Sequence, residues 1–207
     1  MGKFLARIIL KLMGWKINGF LPDQCEKCVI LAAPHTSNSD FYIGWLAYKA
    51  LGIKVKFLIK KESFTFPFGI LLKAAGGIPV DRSRSNNTVK QVVDIIDKHQ
   101  EIHIVITPEG TRKLTKNWKK GFYFIAQTAK IPLVLAYIDY GRKEGGVGPK
   151  IDLTDNYDED LDKIQSFYKN VTAKYPEQFN LSVENSPKFA NNKEDVKKLQ
   201  RQYCCKR

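Results

Sequence analysis

The sequence PHTSNSD at residues 34–40 follows one apolar run of the chain, and TPEGTR at residues 107–112 ends a second run. The first stretch contains a histidine, His35, with a carboxylate five residues further on, Asp40. The second contains a glutamate and an arginine. Groups of these kinds at strand ends suit a reaction that combines proton transfer with binding of an anion, and they decide how the chain is interpreted.

The elements predicted around these stretches alternate between strand and helix. Residues 28–33 predict a buried strand, and residues 40–51 predict the helix that follows the polar turn. The same order continues through residue 140, and it predicts an α/β fold with a largely parallel central sheet flanked by helices. Further strands are expected at 55–59, 76–82, 102–107 and 131–140, and further helices at 87–99 and 121–130.

The length of 207 residues fits a single domain, because a chain of this size buries roughly 70% of its unfolded surface around one core. We divide it into an amphipathic membrane-interface helix at 1–20 and a main domain at 21–207, with the motifs inside 34–140. A glycine-rich turn is predicted at 144–149, and residues 150–207 are expected to cover the sheet. The covering helices are predicted near 158–174 and 192–204.

The first fifteen residues carry apolar and basic side chains that each recur at helical spacing. The apolar set is Phe4, Leu5, Ile8, Ile9 and Leu12, and the basic set is Lys3, Arg7 and Lys11. Such a helix can lie at a membrane interface and set its cations against anionic headgroups. It can equally dock its apolar stripe on the protein's own core, and the sequence leaves both arrangements open.

The formal net charge of +13 is concentrated in the part that holds the motifs. Residues 1–150 contain 24 Lys and Arg against 11 Asp and Glu, whereas residues 151–207 contain 10 of each. A basic face attracts nucleic acid, anionic lipid headgroups, phosphorylated substrates or an acidic carrier protein. Because the chain has no helix-turn-helix, zinc-finger or ribonucleoprotein signature, we expect no nucleic-acid partner.

No apolar stretch reaches the ~20 residues that span a bilayer, so we expect a peripheral protein. The four cysteines are Cys25, Cys28 and the adjacent pair Cys204 and Cys205, too few for a secreted disulfide framework. A reduced compartment is therefore favoured. Adjacent cysteines suit a zinc site poorly and Cys28 leads directly into a strand, so we expect neither metal binding nor redox chemistry from them.

His35 and Asp40 can act together in proton transfer. A turn after a strand lets Asp40 accept a hydrogen bond from Nδ1–H of His35, which leaves Nε2 free to take a proton from an attacking hydroxyl. This is the base and the orienting group of a serine-hydrolase triad without its serine. Ser37 and Ser39 lie nearby and leave a covalent acyl-enzyme open, although capping of the following helix is the simpler role.

Four motifs in sequence order resemble those of the glycerolipid acyltransferase family. They are His35-x4-Asp40, GIPVDR at 77–82, PEGTR at 108–112 and IPL at 131–133. Within that family the chain resembles the bacterial 1-acyl-sn-glycerol-3-phosphate (lysophosphatidic acid) acyltransferase type, over residues 1 to about 140. The resemblance implies a glycerol-3-phosphate acyltransferase-like fold and transfer of a fatty acyl group to the free sn-2 hydroxyl of lysophosphatidic acid, forming phosphatidic acid.

The resemblance also assigns roles to individual residues. It implies that His35 is the general base and Asp40 its orienting partner, with no metal and no other cofactor. The phosphate-binding arginines of the family correspond to Arg82 and Arg112, whose planar guanidinium groups suit phosphate oxygens. Lys113 is expected to assist them.

The third motif further implies that Glu109 accepts a hydrogen bond from the acceptor and that Gly110 lets it pass close to the backbone, with Thr111 in the same substrate-binding turn. The acyl chain needs an apolar slot, and the unusually apolar connector at 64–72 is a candidate for it. Ordinary core packing is the alternative explanation of that connector. The predicted lining of the slot is Phe64, Phe66, Phe68, Leu71 and Leu72.

The chain departs from the family pattern at several positions. Pro34 stands where Asn is common, Val80 stands where an aromatic residue is common, and Lys113 stands where a small hydroxyl residue is common. The segment DYGRK at 139–143 matches no pattern that we can assign. None of these departures removes a reacting group, so they concern the identity of the acceptor more than the type of reaction.

We therefore expect an O-acyltransferase that takes its acyl group from acyl carrier protein or coenzyme A. It is expected to act on a lysophospholipid at the cytoplasmic side of the cell membrane, where anionic lipids attract its basic face. Two alternatives stay open. They are acylation of another lysolipid, such as the acylated amino acid of ornithine- or glycine-type lipids, and hydrolysis of the acyl thioester.

Overall fold

The computed structural model describes residues 2–22, 25–81 and 85–181. The described residues form a seven-stranded sheet with helices on both faces, which confirms the predicted α/β class. The predicted helix at 192–204 lies outside the described residues, as do Arg82, Cys204 and Cys205.

All neighbouring strands of the sheet are parallel except one pair. The strands are β1 (Lys16–Asn18), β2 (Lys27–Ala32), β3 (Val55–Lys60), β4 (Gly77–Val80), β5 (Ile102–Ile106), β6 (Leu133–Asp139) and β7 (Glu144–Ile151). Their order across the sheet is β1-β7-β6-β2-β5-β3-β4, and only β6 and β7 run antiparallel. β2 therefore lies at the centre, between β6 and β5.

Six α-helices connect or cover these strands within the described part of the chain. They are α1 (Lys3–Leu12), α2 (Asn38–Leu51), α3 (Phe68–Ala74), α4 (Ser85–Asp97), α5 (Gly121–Ala129) and α6 (Tyr157–Tyr168), with short 3-10 turns at Lys61–Ser63 and Pro176–Gln178. α2 covers one face of the sheet and α1 packs on α2. α4, α5 and α6 contribute to the core on the other face.

Both faces of the central strand are buried. Val29 and Leu31 of β2 belong to the core beneath α5 and α6, whereas Cys28 and Ile30 point to the side of α2. A strand covered on both faces needs a continuous apolar run, which is what residues 28–33 supply. The other cysteine, Cys25, precedes β2 and lies at the opposite edge of the sheet from the polar motifs.

The prediction of a glycine-rich turn at 144–149 is wrong, because these residues belong to strand β7. The glycines are there because neighbouring chain segments approach too closely for a side chain. A Cβ atom at Gly146 would lie 1.8 Å from the carbonyl oxygen of Asn18 in β1, and one at Gly148 would lie 2.6 Å from the Phe167 ring. Glycine in this sequence therefore marks close packing within a strand.

Two further elements differ from the sequence-based expectation. The connector at 64–72 contains helix α3, which packs beside β4, and the short edge strand β1 was not predicted. β1 is only three residues long and pairs with β7 alone in the described sheet. It thus has too few residues to show an alternating pattern.

Helix α1 divides its apolar residues between the protein and the surface. Ala6 and Leu10 are buried with Ile43 of α2, whereas Phe4 and Leu12 are exposed, Leu12 by 83%. The helix is therefore docked on the core by one side and presents apolar side chains on another. None of the helices in the described part of the chain has the length and the hydropathy that a membrane-spanning segment requires.

Replacing Leu10 by alanine should weaken the packing of α1 against α2. Leu10 is 1% exposed, and a Leu→Ala change at such a site lowers the free energy of unfolding by about 2–5 kcal/mol. Leu12→Ala is the matched control, since an exposed substitution usually changes it by less than about 0.5 kcal/mol. Urea unfolding followed by tryptophan fluorescence measures both, and equal losses would contradict the docked position of α1.

Candidate active site

The polar motifs meet at the carboxyl edge of the sheet. Residues 33–37 follow β2, residues 107–120 follow β5, and Tyr140 follows β6. Because β2 is parallel to both neighbours and lies between them, the loops after these three strands are side by side. This is the edge at which ligands bind in open parallel sheets.

The histidine turn ends in a capped helix. Ser37 is the N-cap of α2, and its Oγ accepts a hydrogen bond from the backbone N–H of Ser39 at 3.1 Å. Asp40 completes a capping box, because its Oδ2 accepts from the backbone N–H of Ser37 at 2.8 Å. The same oxygen accepts from the N–H of Thr36, also at 2.8 Å. Ser37 thus has the capping role that the sequence favoured over a nucleophilic one.

Asp40 also faces His35. The distance from His35 Nδ1 to Asp40 Oδ2 is 3.4 Å, longer than an ordinary hydrogen bond but within the range of an ion pair. The carboxylate is 5% exposed and the imidazole 23%, so the histidine can meet a substrate while its partner is shielded from water. This is the geometry of a base with an orienting group behind it.

Several donors keep the Asp40 carboxylate charged. Burial alone would raise its pKa, but the adjacent His35 and the hydrogen bonds from Tyr140 and the Ser37 backbone together hold the pKa below its ordinary value. Asp40 is therefore an anion over the physiological range of pH. An anion in this position stabilises the imidazolium that forms when His35 takes up a proton.

Glu109 is fixed behind the histidine turn. It is 2% exposed, and its Oε1 accepts a hydrogen bond from the backbone N–H of His35 at 3.0 Å. Its other oxygen, Oε2, is buried with no hydrogen-bond partner among the described residues. Burial raises the pKa of Glu109 to about 7, although the backbone donors act in the opposite direction. Glu109 thus braces the loop of His35, and its predicted contact with an acceptor stays a prediction.

The loop after Glu109 presents basic side chains to solvent. Arg112 is exposed and its guanidinium donates to Oδ1 of Asn38, in the first turn of α2. This contact brings the third motif against the first, two residues from Asp40. Thr111 and Lys113 are also exposed, and Thr111 Oγ1 accepts from the backbone N–H of Lys113 at 3.2 Å.

Gly110 has a backbone conformation that favours glycine. Its φ angle is +63°, and a Cβ atom there would lie 2.8 Å from Cδ of Lys119. The positive φ favours glycine here, whereas the flexible end of the Lys119 side chain can move aside. The neighbouring second motif is described only as far as Asp81, whose Oδ2 accepts from Lys61 Nζ at 2.6 Å, and the predicted site residue Arg82 lies outside the described part.

The predicted acyl-slot residues do not enclose a cavity in this structure. Phe66, at 87% exposure, is accompanied by an exposed Phe68 and Leu71, whereas Phe64 and Leu72 are partly buried. They form an open apolar surface along α3 and the segment before it. Their assignment to the acyl chain stays a prediction.

Other apolar residues lie nearer to the dyad than the sequence suggested. Phe41 directly follows Asp40, and its ring contacts the ring of Phe57 of β3 edge-on, with centroids 5.0 Å apart. Tyr48 of α2 also lies next to Phe57, with centroids 6.4 Å apart. Tyr48 and Phe57 belong to the core between α2 and the sheet.

Sequence reasoning missed the residues that reach the site from the far end of the chain. Tyr140 donates its hydroxyl to Asp40 Oδ1 at 2.7 Å, and Lys174 Nζ donates to Ser39 Oγ at 2.7 Å. The backbone N–H of Tyr175 donates to Thr36 Oγ1 at 3.2 Å. None of these contacts has a local pattern, because each joins residues 100 or more positions apart.

Comparison with known proteins shows the family and a similar fold. Residues 20–139 match the Acyltransferase family. The crystal structure of the 1-acyl-sn-glycerophosphate (LPA) acyltransferase, PlsC, from Thermotoga maritima has a similar fold, with a TM-score of 0.54 and 14% sequence identity over 76% of this chain and 71% of that chain. No curated protein shows significant sequence similarity to the chain.

Glu109→Gln should remove a pH dependence from the stability of the protein. The folded state raises the pKa of Glu109 from 4.5 to about 7, so ionisation of this carboxyl opposes folding. The protonated carboxyl contributes on the order of 3 kcal/mol to the free energy of unfolding. This contribution is fully present below about pH 4.5 and is lost as the pH rises through 7. The neutral glutamine should make the variant more stable than the wild type at pH 8, with the difference vanishing towards pH 4.5.

Urea unfolding at a series of pH values measures this difference. The exposed residue Glu101 provides the control, since Glu101→Gln should follow the wild type at every pH. A Glu109→Gln variant that runs parallel to the wild type from pH 4.5 to 8 would show that the carboxyl titrates normally.

Proposed function

Because the chain belongs to the Acyltransferase family, we propose that it transfers a fatty acyl group from an acyl thioester to the free sn-2 hydroxyl of lysophosphatidic acid, forming phosphatidic acid. The observation that carries this proposal is the partly exposed His35 backed by the buried, ionised Asp40. The fold shared with the Thermotoga maritima LPA acyltransferase supports the choice of acceptor.

The reaction needs one proton acceptor and one attacking oxygen. Nε2 of His35 takes the proton of the sn-2 hydroxyl as its oxygen attacks the thioester carbonyl carbon, and Asp40 stabilises the imidazolium. The tetrahedral intermediate then collapses, the carbon–sulfur bond breaks, and the imidazolium returns the proton to the leaving thiolate. The products are phosphatidic acid and a free thiol, and the scheme requires no metal or redox cofactor.

The acceptor phosphate has a binding partner close to the base. Arg112 reaches Asn38 at the start of α2, so a phosphate bound to its guanidinium would lie beside the histidine turn. Lys113 is exposed on the same loop and can add a second cation. The resemblance to the family adds Arg82 to this group. Glu109, Gly110 and Thr111 shape the turn between the base and the phosphate.

The donor is acyl carrier protein or coenzyme A carrying the acyl group as a thioester. Both are anionic, which suits the excess of basic residues in the first 150 positions. The acyl chain is proposed to follow the apolar surfaces near the dyad, either the aromatic group of Phe41 and Phe57 or the exposed residues of α3.

The lipid substrate requires access to a membrane. We propose that the exposed side chains of α1, Phe4 and Leu12 above all, enter the interface of an anionic bilayer on the cytoplasmic side of the cell membrane. Lys3, Arg7 and Lys11 of the same helix are exposed and suit the headgroups. Because Ala6 and Leu10 hold α1 on α2, the helix can bind lipid without leaving the protein.

The activity depends on His35 if the proposal is right. His35→Gln should lower kcat by at least about a hundredfold, since general bases contribute about 10²–10⁴-fold. His99→Gln is the matched control. His99 is exposed and lies just after the end of α4, so its substitution should leave the rate unchanged. The assay mixes each protein with vesicles containing lysophosphatidic acid and with acyl-coenzyme A or acylated carrier protein, and mass spectrometry follows phosphatidic acid.

Each other result of this assay has a definite meaning. If thioester is consumed and no phosphatidic acid forms, the acyl acceptor is another lipid or water, and not lysophosphatidic acid. The absence of consumption with both donors, or equal rates for the wild type and His35→Gln, would contradict the proposed function.

Weakening the apolar side of α1 should weaken membrane binding without unfolding the protein. The double variant Phe4→Ser and Leu12→Ser removes two exposed apolar side chains, and vesicle affinity should fall roughly tenfold or more. Phe124→Ser is the control, because Phe124 is an exposed aromatic of α5, on the other face of the sheet. Sedimentation with anionic vesicles measures the affinity of both variants and of the wild type. Equal binding by all three would contradict the proposed contact of α1 with the membrane.

A further inference from the structure

Tyr140 connects the unassigned segment at 139–143 to the catalytic dyad. It follows β6 directly, and its backbone N–H donates to the carbonyl of Thr172 at 2.9 Å. Its ring packs edge-on against Trp15, with centroids 5.1 Å apart. The side chain is therefore held from two sides and points its hydroxyl at Asp40.

The two oxygens of Asp40 have different partners. Oδ2 accepts from the backbone N–H groups of Thr36 and Ser37 and faces Nδ1 of His35. Oδ1 accepts from the hydroxyl of Tyr140 at 2.7 Å. The charge of one carboxylate is thus divided between an imidazole and a phenol. The hydrogen bond from the phenol therefore lowers the negative charge that the carboxylate presents to the imidazole.

Resting on the proposed function, we propose that Tyr140 is a positioning residue that acts on His35 through Asp40. It fixes Oδ1 and takes up part of the carboxylate charge, so that the imidazole stays neutral, and able to accept a proton, down to a lower pH. Without the phenol, the backbone donors would still hold Oδ2 in place. The full charge would then act on His35 and favour the imidazolium before the substrate arrives.

The surroundings of Tyr140 keep it a donor. Burial, and then the hydrogen bond to Asp40, raise the pKa of Tyr140 above its ordinary value, so the hydroxyl keeps its proton across the range of any assay. Lys174 donates to Ser39 Oγ at 2.7 Å, one residue before Asp40.

The ionisable groups around this pair come from several elements. His35 faces Asp40 from the loop after β2, and Glu109 acts on both from the loop after β5. Lys174 and Tyr175 face Tyr140 from the segment after α6, with Lys174 Nζ 6.0 Å from the Tyr140 ring centroid. Tyr140 is the member of this set that donates a side-chain hydrogen bond to Asp40 Oδ1.

The proposal can be tested by titrating the histidines. The chain contains three, His35, His99 and His103, whose ring signals can be followed by NMR in histidine-labelled protein and assigned with His35→Gln. In Tyr140→Phe the titration midpoint of the His35 ring should rise by about half a pH unit, because removing a donor from a carboxylate strengthens its hold on a neighbouring cation. The other two rings should titrate as in the wild type.

A matched control separates this effect from a general loss of packing. Tyr123 of α5 donates its hydroxyl to the buried carboxylate of Asp160 at 3.1 Å, away from the dyad. Tyr123→Phe removes the same kind of bond and should leave the His35 midpoint in place. Phenylalanine keeps the ring that packs edge-on against Trp15, so Tyr140→Phe removes the hydroxyl and leaves that packing in place.

Kinetics give an independent result. In Tyr140→Phe the acid limb of kcat/KM for acyl transfer should move to higher pH by the same half unit, with KM for both substrates unchanged at high pH. A His35 midpoint and an acid limb that both equal those of the wild type would overturn the proposal. A raised midpoint in a protein that transfers no acyl group would instead uphold the role of Tyr140 and contradict the proposed function.

Discussion

The structure of the site depends on the burial of one negative charge, the carboxylate of Asp40. Removing such a group from water costs several kcal/mol unless donors replace the solvent. Here the first turn of α2, the loop after β2 and the hydroxyl of Tyr140 supply them. The same hydrogen bonds that cap the helix therefore also keep the orienting group of the base ionised. An apolar side chain at this position would leave the backbone N–H groups of Thr36 and Ser37 without this acceptor and His35 without its partner.

A second carboxyl beside the first behaves in the opposite way. Glu109 has one oxygen on the His35 backbone and one without a partner, and its burial raises its pKa, to which the charge of Asp40 adds. The site thus has a buried half, in which two carboxyls fix a histidine from behind. It also has an exposed half, in which Arg112 and its neighbours face the solvent. The proposed substrate, with its anionic head and reacting hydroxyl, would extend across the two.

The sequence was informative where the relevant contacts are short in range. The strand–turn–helix around His35, the cap at Ser37 and the pairing of His35 with Asp40 follow from residues within one turn of each other, and the structure has all three. The alternation of strands and helices predicted the fold for the same reason. The glycines of β7 were misinterpreted because their cause is the approach of Asn18 and Phe167, which no local pattern shows. Tyr140 had no assigned role because its partner lies 100 positions earlier.

The segment after α6 supports the histidine loop from beyond the motifs. The motif residues and the match to the family end by residue 139, yet the backbone of Thr172 and Tyr175 and the side chain of Lys174 brace the turn of Tyr140 and the loop of His35. A fragment cut after the fourth motif would contain every motif residue and none of this support. The contacts that hold the histidine loop therefore extend past the region by which the family is recognised, and boundaries drawn from that region would remove them.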